Sequence, residues 1–513
     1  MRKGQNIKNM KDEDLKKKSL YFFPLIYLFI LWVYIFQNSQ LPSRDEGNVI
    51  SNNKLWIYDS IPSIISTKGS LLLPFLQLFK NIYALRLLQF IFISLTVLII
   101  YRINLSEKKK IFLATISVTS LLSLPWLCES NFYPFFVVIL FALYSSRHQN
   151  EKLFFILGLA ASFAVYFKFL FLYLLIGISL SILLESKKFF PYLLLGVIVG
   201  MIPLLLNICY SNESFFFFSK ILEDYFTKGI QYDGIQKFDI KIILESTTLS
   251  FFRDFHQYFP TESTLKNPIY SKITKTLYYF YFVLLLILPF FIERKYLKRA
   301  IFLFYIPYIL WLFLNPISAK NVHMTLFFTL FLLVSISYCE DRFLLLLFVF
   351  SFLLLIHQQW IIIHLFDEKY FTVFSSYKKV ISGFLLNKSL EENFIVLSPS
   401  NDYLFDGLGN FETIRLWDFE DVQQNPVNLT FIKEKALKRL RNVVRRNENI
   451  LVIMPTDESR QCKIYGDCCL RDIRICFFIK PVVENFFGNR LKLVKTINDS
   501  TGNTVIKIYE ITT

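Results

Sequence analysis

The chain reads as a polytopic α-helical membrane protein of about eleven transmembrane helices with a C-terminal extracytoplasmic α/β domain. Hydrophobic residues make up 54% of its 513 residues and charged residues only 19%, with 58 phenylalanines. Mean hydropathy is +0.44. A soluble domain carries roughly 25% charged residues to cover itself with polar surface, whereas long apolar runs mark membrane spans. The same figures exclude disordered, collagen-like and small disulfide-stapled chains. The formal charge of +16 would point to nucleic acid in a soluble protein. In a membrane chain the position of the cations carries the information instead, and nucleic acid is not an expected partner.

Apolar stretches fall at about 19–38, 84–103, 111–127, 132–146, 153–167, 169–184, 189–210, 276–293, 300–315, 322–338 and 343–365. The run from 153 to 184 overruns the roughly 20 residues a span needs, so it divides into two near Lys168. Lys and Arg set the orientation. The N-terminal tail, 1–18, carries Arg2, Lys3, Lys8, Lys11, Lys16, Lys17 and Lys18. With that tail in the cytoplasm, the loops Arg102–Lys110, Arg147–Lys152, Ser186–Lys188, Glu293–Arg299 and Glu340–Arg342 also fall inside, holding 4, 2, 2, 4 and 1 cations. The first span has no cleavage site and reads as a signal anchor. The expected location is the inner membrane of a bacterium, multi-pass.

Three larger pieces then lie outside: a first loop at 39–83, a large loop at 211–275 and a domain at 366–513, leaving 19–365 as the transmembrane unit. Within the tail domain, Phe394–Leu397 and Ile450–Met454 read as buried strands flanking a basic amphipathic helix, Thr430–Arg446. Leu491–Lys495 and Val505–Tyr509 read as a closing hairpin. Cys462, Cys468, Cys469 and Cys476 lack zinc spacing; an oxidising compartment favours one or two disulfides among them. Asn428-Leu429-Thr430 and Asn498-Asp499-Ser500 are sequons. No P-loop, dinucleotide-binding glycine pattern, HExxH or nucleophile elbow is present. No cofactor is predicted, and a divalent metal is not readable from the sequence.

The central portions of the eleven stretches contain no Asp, Glu, Lys or Arg, the groups that mark ion paths and proton relays inside membranes. Ionisable residues gather instead at the outer ends: Asp45, Glu46, Lys68, Arg86, Glu129, Lys168, Lys320, His323, His357 and His364. Distant segments thereby bring charge to one membrane face, as an active site open to lipid and to the outer compartment requires.

At these residues the sequence resembles a family. Arg44-Asp45-Glu46-Gly47-Asn48, just after the first span, resembles the first-loop Asp-Glu motif of GT-C glycosyltransferases, most closely lipid A aminoarabinose transferases and protein O-mannosyltransferases. Lys68-Gly69-Ser70-Leu71-Leu72-Leu73 is similar to that family's Lys/His-Pro-Pro-Leu-Tyr-Tyr segment, with Gly69 and Ser70 in place of the prolines. Ala84-Leu85-Arg86-Leu87 resembles its Ala-Ala-Arg-Leu-Pro helix start, Gly158-Leu159 with Lys168 its Gly-Leu-Ala…Thr-Lys segment, and Ser318-Ala319-Lys320-Asn321 its Lys-x-x-x-Tyr stretch. The second family acid, usually Asp, is matched by Glu129. The resemblance covers roughly the first 340 residues and implies a GT-C-like fold, a polyprenyl-phosphate-linked sugar as donor and a lipid, glycan or protein acceptor at the outer face.

The chemistry asks for the same residue types. Cleaving a sugar–phosphate bond leaves negative charge on a phosphate near lipid, which a cation stabilises. Lys68 is the first candidate, then Arg86, Lys168, Lys320 and His323. Attack on the anomeric carbon needs a base for the acceptor hydroxyl: Asp45 leads, with Glu46 or Glu129 in support. A surface-polysaccharide polymerase or ligase is an alternative, as is a lipid-linked-glycan flippase or transporter, which needs a polar path through the spans.

Overall fold

The structure, a computed structural model, describes residues 22–36, 82–119, 132–146, 149–167, 170–210, 268–314, 320–364, 376–398, 411–417, 428–446, 449–456, 470–498 and 504–511. Up to residue 364 these residues are helical. The helices are α1 (Phe22–Phe36), α2 (Ile82–Arg102), α3 (Glu107–Thr119), α4 (Tyr133–Tyr144), α5 (Glu151–Phe167), α6 (Phe171–Glu185), α7 (Phe190–Tyr210), α8 (Pro268–Phe291), α9, α10 (Lys320–Tyr338) and α11 (Asp341–His364). Helix α9 is composite: Leu297–Ala300, a π turn at Ile301–Tyr305, then Ile306–Leu314.

Each apolar stretch is helical where it is described, and the run predicted to divide near Lys168 holds two helices, α5 ending at Phe167 and α6 beginning at Phe171. The eleven-span architecture is not what forms. Among the described residues two helical segments are long and apolar enough to cross a bilayer, Tyr83–Arg102 and Asp341–Gln359. Five shorter apolar segments, among them Phe22–Phe36, Tyr133–Tyr144 and Leu326–Tyr338, run 10–17 residues. Length is the physical reason. At about 1.5 Å per residue, the 12 residues of α4 rise about 18 Å, well short of the roughly 30 Å hydrocarbon layer. Apolar composition alone identifies burial, and here much of that burial is helix on helix.

Close crossings depend on small residues. A Cβ on Gly158 of α5 would sit 2.2 Å from the Leu193 carbonyl oxygen, and one on Gly196 of α7 would sit 2.2 Å from that of Phe155. Ser162 donates to the Val197 carbonyl at 2.9 Å across the same seam. This is the small-residue packing by which helix backbones approach in an apolar medium. Gly177 of α6 plays the same part against the Phe302 carbonyl oxygen, 2.2 Å from where its Cβ would be.

The tail holds α12 (Ser376–Ser389), β1 (Phe394–Ser398), β2 (Glu412–Arg415), α13 (Leu429–Val444), β3 (Asn449–Pro455), α14 (Leu470–Phe487), β4 (Leu491–Asn498) and β5 (Thr504–Ile511). They form a five-stranded sheet in the order β2-β1-β3-β5-β4. β1 is parallel to both β2 and β3, while β5 runs antiparallel to β3 and β4. Period-two alternation divides the strands between two layers. Ile395, Leu397, Ile414 and Val452 pack with Ile432 and Leu440 of α13 and Val483 of α14. Phe394, Val396, Leu451, Ile453 and Ile508 share a second cluster with Ile381 and Leu385 of α12. Asn428 caps α13, its side chain accepting from the Phe431 amide at 3.0 Å, a donor the helix itself cannot satisfy. Both buried strands, the basic helix and the hairpin stand where the sequence predicts them; β2, α12 and α14 are additional. Cys462, Cys468 and Cys469 lie outside the described residues, and Cys476 is placed only as a backbone position in α14.

Candidate functional site

Ala84-Leu85-Arg86-Leu87 lies in the first two turns of α2. Spacings of three and four put Arg86, Gln89, Ile93, Thr96 and Ile100 on one stripe of that helix, and all five are buried. Leu87, Ile91, Leu95 and Leu98 face outward. The stripe thus turns a cation and an amide into the bundle and leaves aliphatic side chains on the exposed side. Arg86 is 0% exposed. An interfacial anchor keeps its guanidinium in water; this one does not.

Helix α1 runs antiparallel to α2: Trp32 packs on Phe90 with ring centroids 5.8 Å apart, and Phe36 stacks on Tyr83 at 6.1 Å. Deeper in the bundle, uncharged polar groups join α1, α3 and α11. The Tyr27 hydroxyl donates to Gln358 Oε1 at 2.7 Å, and Gln358 Nε2 donates to the Val118 carbonyl at 3.2 Å. Gln359 Nε2 donates to the same tyrosine oxygen. Beside them His357 is fully buried. A cavity between α2, α3, α4 and α10 is lined by Ile93, Thr96, Ser117, Thr329 and Leu333 among others, so the α2 stripe runs from Arg86 to its wall.

The opposite end of the bundle is knitted by partners. Lys109 Nζ, near the start of α3, donates to the Cys339 carbonyl at 3.0 Å, just past the C-terminus of α10. Arg299 meets Glu185 at 2.8 Å and lies over the Tyr144 ring at 6.0 Å. The Tyr144 and Ser181 hydroxyls are 2.6 Å apart. Glu293 and Glu340 backbone amides bond across the ends of α8 and α10, at 3.1 and 3.0 Å. Lys109, Glu293, Arg299 and Glu340 belong to the basic segments that the sequence predicts as inner loops.

Among the predicted site residues, the structure places three. Arg86 is buried near the start of α2. Lys320 and His323 lie in the first turn of α10, whose other end meets Lys109; since Lys109 opens α3 just beyond the end of α2, the starts of α2 and α10 share one end of the bundle. Asp45, Glu46, Lys68, Glu129 and Lys168 lie outside the described residues. Gly158, one of the motif residues, is a packing glycine. Sequence reasoning passed over Gln89, Tyr27 and Gln358 because only charged residues were sought inside the apolar runs. The signal that finds them is the three-and-four spacing of Arg86, Gln89 and Thr96. Among the described residues no group of three His, Cys, Asp or Glu side chains is placed to share an ion.

No protein-family model matches the chain, and no curated protein matches it.

Proposed function

We propose that this chain is a membrane glycosyltransferase that moves a sugar from a polyprenyl-phosphate donor to a lipid, glycan or protein acceptor at the outer face of the cytoplasmic membrane. One observation carries the reading: Arg86, in the motif that resembles a glycosyltransferase helix start, is wholly buried at the end of a helix long enough to cross a bilayer. A guanidinium in apolar surroundings acts on a phosphate with less screening than one in water. Arg86 then neutralises the donor phosphate, with Lys68, Lys168, Lys320 and His323 as further cations around it. Asp45 takes the proton from the acceptor hydroxyl as that oxygen attacks the anomeric carbon, and the polyprenyl phosphate leaves with the bonding electrons. Glu46 and Glu129 orient the acceptor. The N-terminal tail lies in the cytoplasm and the tail domain outside.

The test is release of polyprenyl phosphate from a polyprenyl-phosphate hexose by the purified full chain in nanodiscs, with a membrane-lipid extract as acceptor. Asp45→Asn is expected to abolish release while the thermal midpoint holds. Wild-type release by the variant refutes the assigned base, and the absence of release by the wild type refutes the activity. A second reading, a flippase for lipid-linked glycans, draws on the part-buried Tyr27–Gln358–Gln359 network, a polar patch between apolar helices. It predicts transfer of the intact donor between leaflets with the sugar–phosphate bond unbroken.

A further inference from the structure

At the end of the bundle where Arg299 meets Glu185, helices α5 and α7 start side by side. Phe154 stacks on Phe189 with ring centroids 4.6 Å apart, Gly158 meets Leu193, and Gly200 meets Ser162. The contacts advance along both helices together, so the pair is parallel. Lys152, the second residue of α5, and Lys187, in the three-residue turn before α7, each stand two residues ahead of the stacked rings. Lys188 follows, its Nζ 4.7 Å from the Phe189 ring centroid, a contact that supplies no anion. All three lysines are exposed, and among the described residues none of them is in an ion pair. The acids nearby are engaged: Glu185 by Arg299 at 2.8 Å, and Glu151 beside the Tyr192 hydroxyl.

Beyond these cations both helices turn apolar side chains outward. Leu194, Ile198 and Ile202 of α7 recur every four residues and are exposed, as are Ile156 and Phe163 of α5. The α7 track is about 12 Å long from Leu194 to Ile202. We propose that an anionic phospholipid docks here, its phosphate on Lys152, Lys187 and Lys188 and an acyl chain along the α7 stripe. The two halves of the surface decide the class of ligand. A soluble anion leaves the apolar stripe facing water, which is unfavourable. A zwitterionic lipid leaves three cations without net counter-charge. An amphiphile with a net negative head completes both, the pairing by which basic clusters at helix ends attract anionic headgroups. Neither Arg86 nor a sugar donor enters this inference, so it stands apart from the proposed activity.

Native mass spectrometry of the full chain tests it, after release from nanodiscs of phosphatidylglycerol and phosphatidylcholine with matched acyl chains. The wild type is expected to retain phosphatidylglycerol preferentially. A lysine near an anionic headgroup contributes roughly fivefold in binding, so the triple variant Lys152→Gln, Lys187→Gln, Lys188→Gln lowers that preference about tenfold or more. Lys187→Gln alone lowers it about fivefold and serves if the triple variant fails to fold. Ile198→Ser weakens retention of both lipids, since each offers the same chain. Removing three cations from the tail domain instead (Lys433→Gln, Lys438→Gln, Arg441→Gln) leaves the preference within about twofold. No preference in the wild type, a preference that survives in the lysine variants, or an equal loss in the tail variant overturns the proposal. Displacement of phosphatidylglycerol by inorganic phosphate, or retention indifferent to Ile198→Ser, overturns the lipid as occupant and leaves a simple anion.

Discussion

Replacing Arg86 by methionine and by lysine separates a ligand-binding cation from a structural one, because the two roles divide differently between activity and stability. The side chain is 0% exposed, so its charge acts through apolar surroundings. A cation about 4 Å from a phosphate contributes on the order of 4 kcal/mol at an effective dielectric near 20. Felt in the transition state alone, that is about a thousandfold in rate. Methionine nearly preserves the volume, so the variant removes the guanidinium and its contacts without opening a large cavity. Arg86→Met is therefore expected to lower single-turnover release of polyprenyl phosphate about a thousandfold at a temperature where the variant is still folded. Arg86→Lys keeps the charge without the planar fork and recovers part of the rate. Release at the wild-type rate by Arg86→Met refutes the phosphate assignment. A collapse of the thermal midpoint together with activity marks the arginine as structural.

Gly196→Ala drives a Cβ to 2.2 Å from the Phe155 carbonyl oxygen, and overpacking of this kind costs about 1–3 kcal/mol; a lowered thermal midpoint in nanodiscs checks it. Tyr27→Phe removes the hydroxyl that serves both Gln358 and Gln359, an expected cost of about 1–3 kcal/mol for buried groups left short, whereas an unchanged midpoint shows the network to be hydrated. Lys388 joins Glu392 and Glu510 and so ties α12 to β5; Lys388→Met is expected to cost the full chain about 0.5–1 kcal/mol in urea unfolding of the tail. Burial lowers the pKa of Lys388, but the two carboxylates more than offset this and leave it raised. Its stabilising effect is then complete below the unfolded lysine value of about 10.4 and fades as pH rises through the folded value. The wild type and Lys388→Met are therefore expected to converge in strongly alkaline buffer; a gap that widens there contradicts the ion-pair role.

Where each helix lies was legible in the apolar runs, and so was the break beside Lys168, because some thirty apolar residues overrun a bilayer. The number of helices that cross was not. Tyr133–Tyr144 is as apolar as any span and is too short to be one; composition records that a segment leaves water without saying whether lipid or another helix receives it. In the tail, β1 and β3 were legible because they are unbroken aliphatic runs between turn residues, and α13 because its charges alternate with a buried stripe. β2 is four residues long with Glu412 and Arg415 at its ends, and only pairing beside β1 makes it a strand. At the candidate site, the family resemblance picked out Arg86 but could not tell an anchor from a buried group. That depends on which way the first turn of α2 faces, and the packing of Trp32 on Phe90 and of Phe36 on Tyr83 decides it.

The cations at the two ends of the bundle differ in a way that bears on chemistry. Arg299 is 33% exposed in its side chain and sits 2.8 Å from Glu185, a pair in contact with water and worth at most about 1 kcal/mol. Arg86 is sealed, and the amide next along its stripe has no internal partner. In bulk water a cation 4 Å from a phosphate gains only about 1 kcal/mol, against about 4 kcal/mol at an effective dielectric near 20. Burial alone thus raises the effect of one arginine from a few-fold to about a thousandfold. On the proposed reading, the burial of Arg86 is what gives its charge the reach to act on a lipid-borne phosphate.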